Sequence, residues 1–180
     1  MDLATLQAQL KDQSPQAAPV HLWDPPFCGD MDIIIKQDGT WCYNGTPITR
    51  EKLVSLFSTV IKKENNKYFL VTPVEKVGIQ VEDVPFVVIN WELKDDLLVF
   101  TTKEGIQFTV DEEHPVELRF RPEQEAEIPY VKVRGDLFAR LHQNTFYQLV
   151  SLGELVDQGN GKALLTVKSG NYAFSLGEVC

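Results

Sequence analysis

Two stretches of this chain match each other at a nearly constant spacing. Gly39 followed by Leu53-Val54-Ser55-Leu56 returns 96 residues later as Gly135 followed by Leu149-Val150-Ser151-Leu152, and Lys36 falls on Lys132 at the same spacing. At a spacing of 95, Lys67 falls on Lys162, Leu70 on Leu165, Val81 on Leu176 and Val84 on Val179. A repeat of this length predicts two copies of one small unit, with the seam between them as a natural place for a ligand. A chain of 180 residues that is 43% apolar supplies one sizeable core or two small ones in contact, and two halves are the better fit.

The patterning divides the chain into an N-terminal helix and extended arm over 1–27, a first repeat over 28–84, and a β-meander plus second repeat over 85–180. Leu3, Leu6 and Leu10 make one face of a short helix over 2–12 that must dock on something, its own chain or a partner. Pro15, Pro19, Pro25 and Pro26 then predict an arm over 14–30. In the first repeat, Ile33-Ile34-Ile35 and Trp41-Cys42-Tyr43 flank the turn signal Asp38-Gly39. A second turn at Asn44-Gly45 leads to Thr49 as N-cap. The helix that follows carries Leu53, Leu56, Phe57 and Val60 on one stripe and ends near Asn65-Asn66. Strands over 67–73 and 76–82 complete the copy. A meander of strands at 86–93, 97–101, 106–110 and 116–121 precedes the second copy, which has strands at 129–133 and 137–141. Its helix carries Phe146, Leu149, Val150, Gly153 and Val156, closes at Asn160-Gly161, and precedes strands at 162–168 and 171–176. The fold class is α+β: two tandem related subdomains of antiparallel sheet, each covered by one helix.

A net charge of −9 disfavours nonspecific binding to nucleic acid or to an anionic membrane surface. No secretory signal or membrane-length apolar run is visible, which places the chain in the cytoplasm. Cys28, Cys42 and Cys180 are an odd, scattered set that supports neither a disulfide framework nor a zinc site, and they read as reduced thiols.

Arg119 and Arg121 share one face of a strand, and Lys132 with Arg134 do the same on the next. If those strands pair, four cations gather where a phosphate would be held by bidentate donors. The alternative is a solvated strand face balanced by Glu117, Glu123, Glu125 and Glu127. Trp41 aligns with Leu137 and reads as core. Tyr43 aligns with Ala139, and either packs at an edge or projects into the seam to stack on a base. Arg50 lies just inside the first helix, where the dipole disfavours a cation, so a compensating pair with Glu51 or Glu75 is expected. No phosphate loop, dinucleotide fingerprint, nucleophile motif or metal spacing is present, so no cofactor, metal or catalytic role is assigned. A hydrolase or lyase would need Glu75, Asp83 or His114 to meet in one cleft.

The residues Asp38-Gly39-Thr40-Trp41, Pro47-Ile48-Thr49-Arg50, Thr72-Pro73-Val74-Glu75-Lys76 and Val81-Glu82-Asp83-Val84-Pro85-Phe86 together resemble a bacterial family, domain-of-unknown-function family 1285. Pro129-Tyr130-Val131-Lys132-Val133-Arg134-Gly135 and Phe146-Tyr147-Gln148-Leu149-Val150 extend that resemblance over nearly everything after the arm. The resemblance implies a duplicated α+β protein whose second half is similar to pleckstrin-homology folds. It also implies a nucleotide-like ligand between the halves and a role in signalling. Two functions are therefore expected to compete. One is a non-enzymatic binding or sensory protein for a small anion, using Tyr43, Arg50, Glu75, Arg119, Lys132 and Arg134. The other is a protein-interaction module that uses sheet edges and the leucine face of the first helix.

Overall fold

The structure is a computed structural model that describes residues 2–10 and 18–179. Residues 11 and 12 of the expected first helix, Pro15 of the arm and Cys180 lie outside the described residues. The fold is α+β, with two six-stranded mixed sheets, a small three-stranded sheet and few helices. The chain divides into two compact units, residues 1–85 and 86–180. Among the described residues no helix is long and apolar enough to cross a membrane.

In the first unit, α1 (Leu3–Gln9) begins at Asp2, whose carboxylate accepts from the Thr5 amide at 2.8 Å. Its leucine face docks on its own unit, with Leu6 and Leu10 each 1% exposed. Gln9 fastens the end of the helix: its amide nitrogen donates to Glu75 at 3.0 Å and its oxygen accepts from the Thr72 hydroxyl at 2.8 Å. Among the described residues the arm contains one 3-10 turn, at Val20–Leu22, and the first strand begins earlier than the prolines suggest, because the Lys76 amide donates to the Pro26 carbonyl. Strand β1 (Phe27–Ile35) forms a hairpin with β2 (Trp41–Tyr43), and β3 (Thr46–Pro47) extends it. Helix α2 (Glu51–Ser58) and strands β4 (Ile61–Glu64), β5 (Lys67–Val71) and β6 (Lys76–Val81) follow, and the sheet order is β3-β2-β1-β6-β5-β4. Leu53 and Phe57 face the core, where Phe57 stacks on Trp41 with ring centroids 6.5 Å apart.

In the second unit, β7 (Phe86–Lys94), β8 (Leu97–Thr102), β9 (Gln107–Thr109), β10 (Val116–Arg121), β11 (Ala126–Arg134) and β12 (Leu137–Leu141) build a sheet ordered β10-β11-β12-β7-β8-β9. Helix α3 (Gln143–Val150) follows, tied to β7 by the Thr145 hydroxyl on the Val88 carbonyl. Strands β13 (Glu154–Asp157), β14 (Ala163–Ser169) and β15 (Tyr172–Val179) form a separate meander. Both units thus run through hairpin, helix and three strands in the same order. In the first unit the last of these strands lies beside β1, whereas in the second the three form a sheet of their own and β10 takes the corresponding edge of β11.

Three expectations need correction. The sheets are not antiparallel throughout: β1 with β6 and β12 with β7 are parallel pairs, each made possible by the long connection that separates its strands. The helices are shorter than their apolar stripes. Thr59 and Ser151 close them with hydroxyls donating at 2.6 Å to the carbonyls three residues back, and the apolar run continues as β4 and β13. The N-cap of α2 is Arg50 rather than Thr49, and it makes no side-chain capping bond.

Glu104 is buried in the turn between β8 and β9, with 4% exposed. Burial pushes its carboxyl from 4.5 up to about 7, against smaller opposing pulls from its own amide, the Thr102 hydroxyl and the Lys103 charge. Between those two values the folded chain holds a proton that the unfolded chain has released. Stability therefore falls as pH rises from 4.5 to about 7, by about 3 kcal/mol, and levels off above that. Glu104→Gln should flatten that slope and raise the urea midpoint at pH 8 while leaving it nearly unchanged at pH 4.5; an unaltered pH profile would refute the assignment. In the first unit, Leu6→Ala should cost about 2–5 kcal/mol. An unchanged urea midpoint in that variant would mean that α1 adds nothing to the unit's stability.

Candidate functional site

The six residues expected to bind a ligand fall in both units, and each unit has its own geometry. In the first, Thr72 organises the loop between β5 and β6 by accepting from the Val74 and Glu75 amides at 3.2 and 3.0 Å. Glu75 faces Gln9 of α1 rather than Arg50, so the expected ion pair with Arg50 gives way to a helix-docking contact. Tyr43 and Arg50 do come together: both line a groove of about 380 Å³ between α1, the β2–β3 hairpin and the start of α2. Tyr43 is half-buried and Arg50 exposed, whereas Trp41, two residues before Tyr43, is core.

In the second unit β10 and β11 pair, as the cation cluster requires, with Arg119 opposite Ile128 and Glu117 opposite Tyr130. The β11–β12 ladder then carries an irregularity. Lys132 pairs with Phe138, but Arg134 pairs with Leu137, so Val133 is an extra residue without a partner in the ladder. Such a bulge resets the alternation of side chains. Lys132 stays on the face of Tyr130, Phe138 and Arg140, while Arg134 joins the face of Leu137 and Ala139 and lies 5.3 Å from the ring of Phe86. The expectation that Lys132 and Arg134 share a face is therefore overturned. Burial lowers the Arg134 guanidinium to about 10, and it remains charged at neutral pH.

What remains on the first face is a cation and aromatic cluster. The Arg119 guanidinium lies 4.4 Å from the centroid of Phe138 and 4.7 Å from that of Tyr130, and its Nε donates to Glu117. Lys132 stands directly across from Phe138, Arg140 across from Tyr130, and Arg121 next but one to Arg119, where it meets Glu123 at 3.6 Å. A guanidinium close to two rings and bonded to a carboxylate is restrained in position, and its fork suits a phosphate or carboxylate.

Sequence reading missed Phe138 and Arg140, although simple alternation along β12 would have placed both on this face. It also missed Glu104, for which no signal exists, since a buried acid in a turn has the same letters as an exposed one. His114 accompanies Asp111 at 3.0 Å in the second unit, and Glu75 and Asp83 lie in the first. Among the described residues no group of three or more His, Cys, Asp or Glu side chains could hold a metal ion.

No curated protein matches the chain. Solved structures do. A DUF1285 family protein from Silicibacter pomeroyi DSS-3 is 41% identical with a TM-score of 0.86, over 99% of this chain and 96% of that one. A second, from Shewanella baltica OS155, is 29% identical with a TM-score of 0.55, over 66% of this chain and 90% of that one. Residues 18–84 match the model for the N-terminal domain of the domain of unknown function DUF1285, and residues 85–176 match the model for the C-terminal domain of the same family. The chain belongs to the DUF1285 family.

Proposed function

We propose that this is a non-enzymatic, cytoplasmic ligand-binding or sensory protein acting in signalling, whose ligand is a small anion with nucleotides as the leading class. The observation that carries this reading is the Arg119 guanidinium over the rings of Phe138 and Tyr130, with Lys132 across the ladder from Phe138. In a chain of net charge −9, cations placed beside aromatic rings on one strand face favour an anion that brings its own planar group. A pleckstrin-homology-like design of the second half belongs to the same proposal, since it treats that half as a platform for recognition. The competing reading, a protein-interaction module, draws support from one feature. All four residues of β13 at the edge of the small sheet are exposed, Leu155 at 63% and Val156 at 46%. Its other expected surface, the leucine face of α1, is already used within the first unit.

Thermal unfolding against mono-, di- and cyclic nucleotides at fixed salt separates these readings. A ligand at a hundred times its dissociation constant stabilises the native state by about 2.7 kcal/mol, a shift of a few degrees for a chain this long. The wild type should show that shift with one nucleotide class, and Arg119→Ala and Lys132→Ala should lose it, with Lys132→Ala unfolding near the wild-type temperature without ligand. Arg134→Ala should instead lower the unfolding temperature of the ligand-free protein. No shift with any nucleotide would sink the nucleotide proposal.

A further inference from the structure

The groove in the first unit carries a different chemistry from the second unit's cation cluster. Its walls expose more apolar than polar surface: Leu3 and Ala4 from α1, Pro47 of β3, Ile48 beyond it and Leu53 from α2, with Gln7, Thr46 and Thr49 also lining it. Its volume, about 380 Å³, is in the range of pockets that hold small molecules. Arg50 is its one charged group among the described residues, and Tyr43 supplies a phenolic hydroxyl. Among the described residues neither the Arg50 guanidinium nor the Tyr43 hydroxyl has a hydrogen-bond or ion-pair partner. Arg50 also stands at the N-cap of α2 without capping it, so its charge adds to the positive end of the helix.

A lone cation at the mouth of an apolar groove is complementary to a ligand with one anionic head and an apolar body. A nucleotide fits poorly there, because its polar sugar would meet hydrocarbon walls. We propose that the first unit binds a single-headed amphiphilic anion of the acyl carboxylate class. Arg50 takes the carboxylate through its fork, Tyr43 donates its hydroxyl, and the acyl chain lies along Leu3, Ala4 and Leu53. Binding relieves the electrostatic mismatch at the start of α2 and fixes α1, which forms one wall, against α2. This site shares no residue with the Arg119 cluster and stands whether or not that cluster binds nucleotides.

Isothermal titration of the full chain with sodium decanoate tests the proposal, with sodium hexanoate and decyltrimethylammonium as controls for tail length and head charge. Decanoate should bind saturably at one site per chain, and hexanoate far more weakly, because each methylene withdrawn from water is worth up to about fourfold in affinity. Arg50→Gln should weaken decanoate about tenfold. Ala4→Phe, which fills the groove from the exposed side of α1, should weaken it without touching the cation, and Arg119→Ala should leave it unchanged. Circular dichroism and unfolding temperature establish that each variant is folded. Should Ala4→Phe fail to fold, Arg50→Gln, a change on the surface, decides the matter. The proposal is overturned if decanoate shows no saturable binding, if folded Arg50→Gln binds it as tightly as the wild type, if decyltrimethylammonium binds equally well, or if Arg119→Ala abolishes binding.

Discussion

Val133 is the residue on which the charge pattern of the second unit turns. Because it has no partner in the β11–β12 ladder, the strand advances one residue without its neighbour, and every side chain beyond it changes face. Lys132 remains with Tyr130 and Phe138, while Arg134 is delivered to the side of Leu137, Ala139 and Phe86. A regular ladder would have put a further cation beside Lys132, Arg119 and Arg140, adding like-charge repulsion to that face. The bulge instead divides the cations into two settings. One guanidinium is desolvated enough for its pKa to drop to about 10, and the others remain on a strand face where they can meet a ligand.

The aromatic rings explain how the cluster is tolerated. A guanidinium is weakly hydrated and planar, so lying on Phe138 and Tyr130 costs little solvation and gains about 0.5–2 kcal/mol from the ring faces. Glu117 engages the Nε of Arg119. A lysine in the same place would keep its hydration shell and lose the planar fork, so the two cations are not interchangeable there.

Much of the fold was legible in the sequence, because its turns have chemical signatures. Gly39 takes a φ of 89° and Asn44 one of 50°, and Asp95 and Asp96 are both left-handed, as the turn signals at those positions required. Trp41 as core followed from its pairing with leucine in the repeat. The helix ends were hidden because the apolar stripe of α2 runs without a break into Val60 and Ile61, where a buried strand wants the same residues as a buried helix face. The parallel pairs were hidden because no local pattern reports on strands 40 or more residues apart. The bulge was hidden because Val133 fits a regular strand as well as an extra position. Of the candidate site, Arg119, Lys132, Tyr43 and Arg50 were legible as types in a pattern. Which of them meet was not, because that depends on ladder register and on where α1 docks.

The repeat itself instructs where chemistry should be sought. Glycine turns 96 residues apart are left-handed in both copies, yet α2 and α3 begin 92 residues apart, at Glu51 and Gln143. The matching run Leu53-Val54-Ser55-Leu56 therefore lies inside α2, whereas Leu149-Val150-Ser151-Leu152 passes the end of α3. The true correspondences are physical ones. Leu53 with Phe57 and Thr145 with Leu149 are buried pairs one turn apart, and Thr59 and Ser151 are hydroxyls that close each helix. The helix starts do not correspond. His142 caps α3 by accepting from the Asn144 amide at 3.1 Å, while Arg50, which has no acceptor atom, cannot cap α2. Packing demands hold the two copies alike along their buried faces and leave their solvent-facing ends free to diverge. A site can therefore be looked for where the copies differ, as at Arg50 against His142.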